Sequence, residues 1–210
     1  MQRSPIIYFL FLLSGITALI YEIVWTRMLT LVFGHTVFSV SVVLSAFMAG
    51  LGFGSYLFGY AVDKLSENVP DHYSKSLQLY GWIEILIFIS GGLLSLLFSN
   101  FAQVYTLFHS IIPESPPLQS LLKVVLSFAL MLIPTTFMGA TLPLISKYCV
   151  TNDEQMGKQV SLLYALNTLG AALGCMITGF FLMGTFGVLQ TVLMAAVGNL
   201  IIGISALSIY

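Results

Sequence analysis

The chain holds 210 residues, 58% of them hydrophobic and 7% charged, with a formal net charge of -1. An ordinary soluble domain carries roughly a quarter of its residues charged, so this composition excludes a soluble globular protein. The two cysteines and the absence of any Lys/Arg run exclude a disulfide scaffold and a nucleic-acid binder. At about 20 to 28 residues per crossing, the length accommodates about six membrane helices and leaves nothing for a soluble catalytic domain.

Six apolar stretches follow one another, each ending at charges, prolines or Gly/Asn/Ser punctuation, at about 5–32, 37–61, 77–99, 119–147, 158–184 and 188–209. They predict an all-α polytopic protein in which residues 1–210 form a single transmembrane domain. Arg3 precedes the first stretch, but no small-residue cleavage site follows, so it reads as a retained helix rather than a signal peptide. The N-terminus and the second and fourth connections hold Arg3, Lys64, Lys75, Lys147 and Lys158, whereas the opposite side holds Arg27 and Lys123. That asymmetry places both termini in the cytoplasm and the protein in a cytoplasmic (inner) membrane. The long connection before the fourth stretch begins with Phe101 to Phe108 and contains Pro113, Pro116 and Pro117, which predicts a short interfacial helix and a stiff turn.

Shifting the chain by 120 positions lays Gly50, Gly54 and Gly59 on Gly170, Gly174 and Gly179, Val40 and Ser41 on Val160 and Ser161, and Arg27 on Lys147. Helices one to three then match helices four to six, and because three is odd the second unit enters from the opposite face, a 3+3 inverted repeat. Glycines are common in membrane helices, so coincidence is the competing explanation.

Gly50 with Gly54, and Gly170 with Gly174, are small-xxx-small pairs that let helix backbones approach closely. Flexible points in a moving helix are the alternative, and packing is the commoner role. Two carboxylates stand inside apolar helices, Glu22 in Ala18 to Trp25 and Glu84 in Tyr80 to Phe88. A charge there costs about 2.5 kcal/mol or more, so each acid needs a partner, a proton or water. One reading pairs Glu22 with Arg27 and leaves Glu84 solvated near the interface. The other is a cation or proton site, with Tyr21, Trp25, Tyr80 and Trp82 as the aromatic types that hold ammonium groups. Asn167 lies near the middle of the first half of the fifth helix, hydrogen-bonding across helices, lining a polar cavity with Tyr164 and Thr168, or both. Pro134 and Pro143 predict a kink or a break in the fourth helix, with Thr135, Thr136 and Thr141 able to satisfy freed carbonyls. The histidines and cysteines show no metal-ligand spacing, no disulfide is expected between Cys149 and Cys175, and no nucleotide or hydrolase motif occurs. No metal, cofactor or catalytic residue is therefore predicted.

Four ordered phrases, Leu13 to Arg27, Ala46 to Ser55, Met138 to Leu144 and Tyr164 to Gly174, resemble the membrane part of the bacterial fused major-facilitator/spermidine synthase family. Tyr80 and Glu84 stand where that family has a tyrosine and a glutamate in helix three. Gly59 to Lys64 is similar to the loop after the second helix of major facilitator proteins, where a glycine and an aspartate, here Asp63, lock neighbouring helices together. The resemblance implies half of a major-facilitator-like bundle and a link to polyamine chemistry. Family members commonly continue into a soluble aminopropyltransferase-like domain, whereas this sequence stops at Tyr210, so aminopropyl transfer is not assigned to these residues. Two functions compete. One is a transporter-like module binding a small cationic amine through Glu22, Trp25, Tyr80, Glu84, Tyr164 and Asn167, working as a homodimer or with another membrane or cytoplasmic subunit. The other is a non-catalytic anchoring subunit of a larger complex.

Overall fold

A computed structural model describes residues 5–34, 36–68, 72–100, 115–150 and 156–209. Among them the architecture is all-α, with six helices long and apolar enough to cross a bilayer. They are α1 (Pro5–Phe33), α2 (Thr36–Asn68), α3 (His72–Ser99), α4 (Pro116–Cys149), α5 (Met156–Ile177) and α6 (Val188–Ile209). Several outrun their apolar stretches because helix-compatible polar residues continue the backbone ladder into the interface. Pro116 and Pro117 open α4 instead of forming a stiff turn, since the first helical turn has free N–H groups that proline need not supply. The interfacial helix expected at Phe101 to Phe108, together with Pro113, lies outside the described residues.

Glycine ends two of these helices. Gly34 after α1 (φ +74°) and Gly187 before α6 (φ +82°) adopt the left-handed backbone that only glycine enters cheaply. Their N–H groups close the preceding turns onto Thr30 O and Met183 O. The fourth helix continues through both prolines. Thr135 Oγ1 donates to Met131 O and Thr141 Oγ1 to Met138 O, each at 2.7 Å, so the threonines bond carbonyls next to those that the prolines free, Leu130 O and Gly139 O, rather than the freed ones themselves. The irregularity falls instead in the fifth crossing, where a π-helical turn, Thr178–Leu182, links α5 to a last α-helical turn, Met183–Phe186. Thr178 Oγ1 donates to Gly174 O at 2.6 Å and competes there with the main-chain ladder.

The packing interleaves the two halves of the chain. The α2 helix lies along α4 and α1 along α5; α3 packs on α4 and α1 on α6; α3 and α6 pack on each other. Exchanging helices one to three with four to six returns the same pairings. The correspondence reaches single residues. A Cβ on Gly54 would run into the Thr136 carbonyl, and one on Gly174 into the Ile16 carbonyl, with both members of the pair displaced by 120 positions. One turn earlier on each helix, Gly50 lies on Thr135 and Gly170 on Leu12 and Ile16, without an exact 120-position match of partners. These four glycines are packing points, and their contacts follow an inverted 3+3 pattern.

The core is a belt of Phe11, Tyr21, Trp25, Phe47 and Tyr80 with aliphatic neighbours. Trp25 stacks obliquely between Tyr21 and Phe47, with ring centroids 5.0 and 5.8 Å away, and its Nε1 donates to Ser95 Oγ at 2.9 Å. At one end of the bundle Lys147 Nζ lies 3.5 Å from Asp63 Oδ1, tying α4 to α2. The position that matches Lys147, Arg27, is exposed on α1 and makes no ion pair with Glu22.

Candidate functional site

Glu84 is fully buried on α3. An acid placed there by an otherwise apolar helix must be met by donors from its neighbours, and two helices supply them. Ser14 Oγ on α1 donates to Oε1 at 2.7 Å, and Asn199 Nδ2 on α6 donates to Oε2 at 2.6 Å. Close approach makes both bonds attainable. Gly81 and Gly203 let α3 and α6 meet backbone to backbone, since a Cβ on Gly203 would sit 2.8 Å from Gly81 O. The Tyr80 hydroxyl lies near Glu84 and Ser14, and both it and the Tyr21 hydroxyl are buried without a hydrogen-bond partner. Glu84 is thus an interior group joining three helices rather than an interfacial one.

Next to this cluster lies a cavity of about 310 Å³. Its polar lining comes from Ser14 and Glu22 on α1, Thr141 on α4, Asn167 on α5 and Asn199 on α6. Ser14 and Asn199 therefore face both ways, toward Glu84 and toward the cavity. Apolar walls come from Ala18, Leu19, Phe47 and Leu51, among others. The volume is at the small end for ligand pockets and equals about ten water molecules. A carboxylate, two amides and two hydroxyls around a mostly apolar space can hold a small polar or cationic group.

The residues singled out in the sequence divide cleanly. Glu22 and Asn167 meet at the cavity, with the Asn167 carbonyl lying against Gly15. Trp25 and Tyr80 are buried in the core behind it and do not line it. Tyr164 and Thr168 are exposed on the outer side of α5, away from Asn167's cavity face, and Trp82 is exposed on α3. Ser14, Thr141 and Asn199 were not singled out as site residues. Asn199 had a sequence signal all the same, as an amide inside the apolar run Val188–Ile209. A second, larger hollow of about 530 Å³ between α2 and α4 is lined by Phe53, Ile133, Phe137 and other residues without a charge, and suits lipid chains.

Cys149 and Cys175 are free thiols, the first buried and the second exposed. No family model matches the chain, and neither a curated protein nor a solved structure matches it.

Proposed function

We propose that this protein is a transporter-like membrane module that binds a small cationic amine in the cavity between its six helices. The observation that carries the reading is the position of Glu22, an intramembrane carboxylate on the wall of a 310 Å³ cavity and with no ion pair to Arg27. A carboxylate held in an apolar span defaults to function, because its cost must be offset by what it binds. The inverted 3+3 contact pattern supports the same class, since transporter folds place binding sites where such repeats meet. The resemblance to the membrane part of spermidine synthase-like proteins adds a polyamine as the amine, delivered to or taken from a cytoplasmic partner. The excess of Lys and Arg on one side supports an inner-membrane location with both termini cytoplasmic. Six helices form one half of a two-half carrier, so movement of a ligand implies a homodimer or a second subunit.

The test is binding and uptake of labelled 1,4-diaminobutane by protein reconstituted in liposomes. Wild type binds saturably, and Glu22→Gln abolishes binding while its melting temperature in detergent stays within a few degrees. Unchanged binding in Glu22→Gln would sink the proposal.

A second reading, an anchoring subunit, draws on the outer face of the fifth crossing. Phe180 is 87% exposed with Phe181 next to it, and Tyr164 stands out farther along the same crossing, the least buried of the six spans. Under this reading a partner covers that face, and native mass spectrometry of the gently extracted complex shows a stoichiometric second protein.

A further inference from the structure

Glu84 is a second intramembrane acid, and the cation site proposed above leaves it without a task. It is fully buried and lines neither cavity. Yet both residues that hold its oxygens, Ser14 on Oε1 and Asn199 on Oε2, belong to the wall of the 310 Å³ cavity. A single layer of side chains therefore separates the acid from that space. No lysine, arginine or histidine among the described residues pairs with it. The titratable groups around it are Tyr80 on its own helix, Tyr21 on α1 and, near Tyr80, Cys149 on α4, while α6 carries none. An ionised Glu84 thus has neutral donors and no positive charge to offset its burial. A proton is the one cation that needs no room beside it.

We infer that Glu84 is a proton-exchange site, which holds a proton while the cavity is empty and releases it through Ser14 when a dication enters. This rests on the cation site proposed above and names its coupling ion and its ligand class, a short-chain diamine. Ser14 and Glu22 stand eight residues apart on α1, about 12 Å, with Ala18 and Leu19 between them on the same wall. The Glu22 side chain and a four-carbon chain cover that length together. Glu22 offsets one ammonium; the other, at the Ser14 end, has Glu84 behind the wall. Ionising Glu84 brings the sum of diamine and two carboxylates to zero. The transfer needs one bond to reverse. With Glu84 protonated on Oε1, its O–H donates to Ser14 Oγ. On release, Ser14 Oγ takes that proton as it gives its own to cavity water, which carries it away. Glu84 is left as the carboxylate that Ser14 Oγ and Asn199 Nδ2 are placed to hold. The Tyr80 and Tyr21 hydroxyls line neither cavity, and an amide N–H is no relay, so Ser14 is the exit.

The intact protein in lipid nanodiscs is studied with 1,4-diaminobutane and n-butylammonium, a dication and a monocation on the same chain length. The infrared band of a protonated carboxyl is present without amine and is lost in Glu84→Gln. No band in wild type, or an unchanged band in Glu84→Gln, overturns the inference whether or not amines bind. Calorimetry in buffers of different protonation enthalpy gives about one proton released per diaminobutane and none per butylammonium. By reciprocity, diaminobutane affinity rises with pH, about tenfold per unit, between about pH 6 and pH 8, where alkylammonium groups stay charged. Butylammonium affinity stays level. Glu84→Gln releases no proton and binds diaminobutane about tenfold more weakly at pH 8; its unchanged butylammonium affinity shows that it is folded. Ser14→Ala slows stopped-flow proton release about tenfold, and Ser14→Thr restores it; equally fast release in Ser14→Ala overturns the relay. Equal release with both amines, or release that survives Glu84→Gln, assigns the proton to Glu22 and overturns the inference alone. No binding of either amine, or a Glu22→Gln variant that weakens neither, overturns the cation site, and the infrared band, which reads Glu84 without amine, tells the two failures apart.

Discussion

Asn199 and Glu84 sit 115 positions apart in the chain and 2.6 Å apart in space, and their bond is the polar fastening between α6 and α3. Interhelical bonds in membranes average about 0.6 kcal/mol and reach about 1.7. Breaking this one by Asn199→Leu leaves a buried carboxylate short of a donor, which adds a desolvation cost of about 1 to 3 kcal/mol. Asn199→Leu should therefore lower stability more than Glu84→Gln does, and the double change Glu84→Met with Asn199→Leu should recover part of the loss. Unfolding in mixed micelles measures all three, and equal losses in the first two would contradict the assignment.

The glycines offer a comparison within one crossing, between α5 and the π turn that follows it. A Cβ at Gly174 meets the Ile16 carbonyl, whereas at Gly179 it meets nothing within 4 Å. Gly174→Ala should cost about 1 to 3 kcal/mol through forced separation of α1 and α5. Gly179→Ala should be neutral within about 1 kcal/mol, the size of the helix-propensity gain from alanine. Gly54→Ala on α2 should behave as Gly174→Ala does, because both meet a carbonyl of the opposite repeat. Thermal melting in detergent separates the two classes.

The Asp63–Lys147 pair joins two groups of unequal exposure, with the Asp63 side chain 76% accessible. Solvent screening limits such a pair to about 0 to 1 kcal/mol. Asp63→Asn should shift melting by no more than a few degrees at low salt, and the difference should vanish near 1 M salt, where the Debye length is about 3 Å. A large, salt-insensitive loss would show a role for Asp63 beyond this pair.

Trp25 and Trp82 should report opposite environments. Trp25 is wholly buried and Trp82 is exposed on the outside of α3. In brominated lipid, Trp82→Phe should leave an emission that is quenched little, and Trp25→Phe an emission that is quenched strongly. Phe47 touches both the cavity and the Trp25 ring. The Trp82→Phe protein should accordingly change its emission when 1,4-diaminobutane binds, and a constant emission at saturation would argue against occupancy of this cavity.

Hydropathy made the six crossings legible, since the bilayer demands about 20 apolar residues at a time. Glu22 and Glu84 were legible for the same reason, as acids that lipid does not tolerate unpaired. Their surroundings were not. Tyr80 and Trp82, two positions apart, look alike in the sequence, yet helical geometry turns one into the core and the other outward. Tyr164 and Asn167, three apart and so neighbours on α5, differ for another reason, since only Asn167 reaches the side that faces α1. Ser14 reads as one of many small polar residues, and only the approach of α1 to α3 gives it an acid to hold. The π turn after Ile177 had no proline to announce it, and the Thr178 hydroxyl on the carbonyl four residues back is a bond that regular helix elsewhere in the chain also carries.

The interleaved pairing of the helices has a consequence for how the chain can be made. Within residues 5–99, α1 spends most of its packing surface on α5 and α6, and α2 on α4, so the first three helices keep only a minor share of their packing, such as Trp25 on Phe47 and Ser14 on Glu84, for one another. Neither half should therefore be stable alone, and the early helices should complete their packing only when the later ones arrive. Two separately encoded halves, split between Asn100 and Ser115, should find each other in the membrane and rebuild the cavity, while either alone should be degraded. A protein built this way is in effect a self-complementary pair of three-helix units, each offering the other the surfaces it lacks.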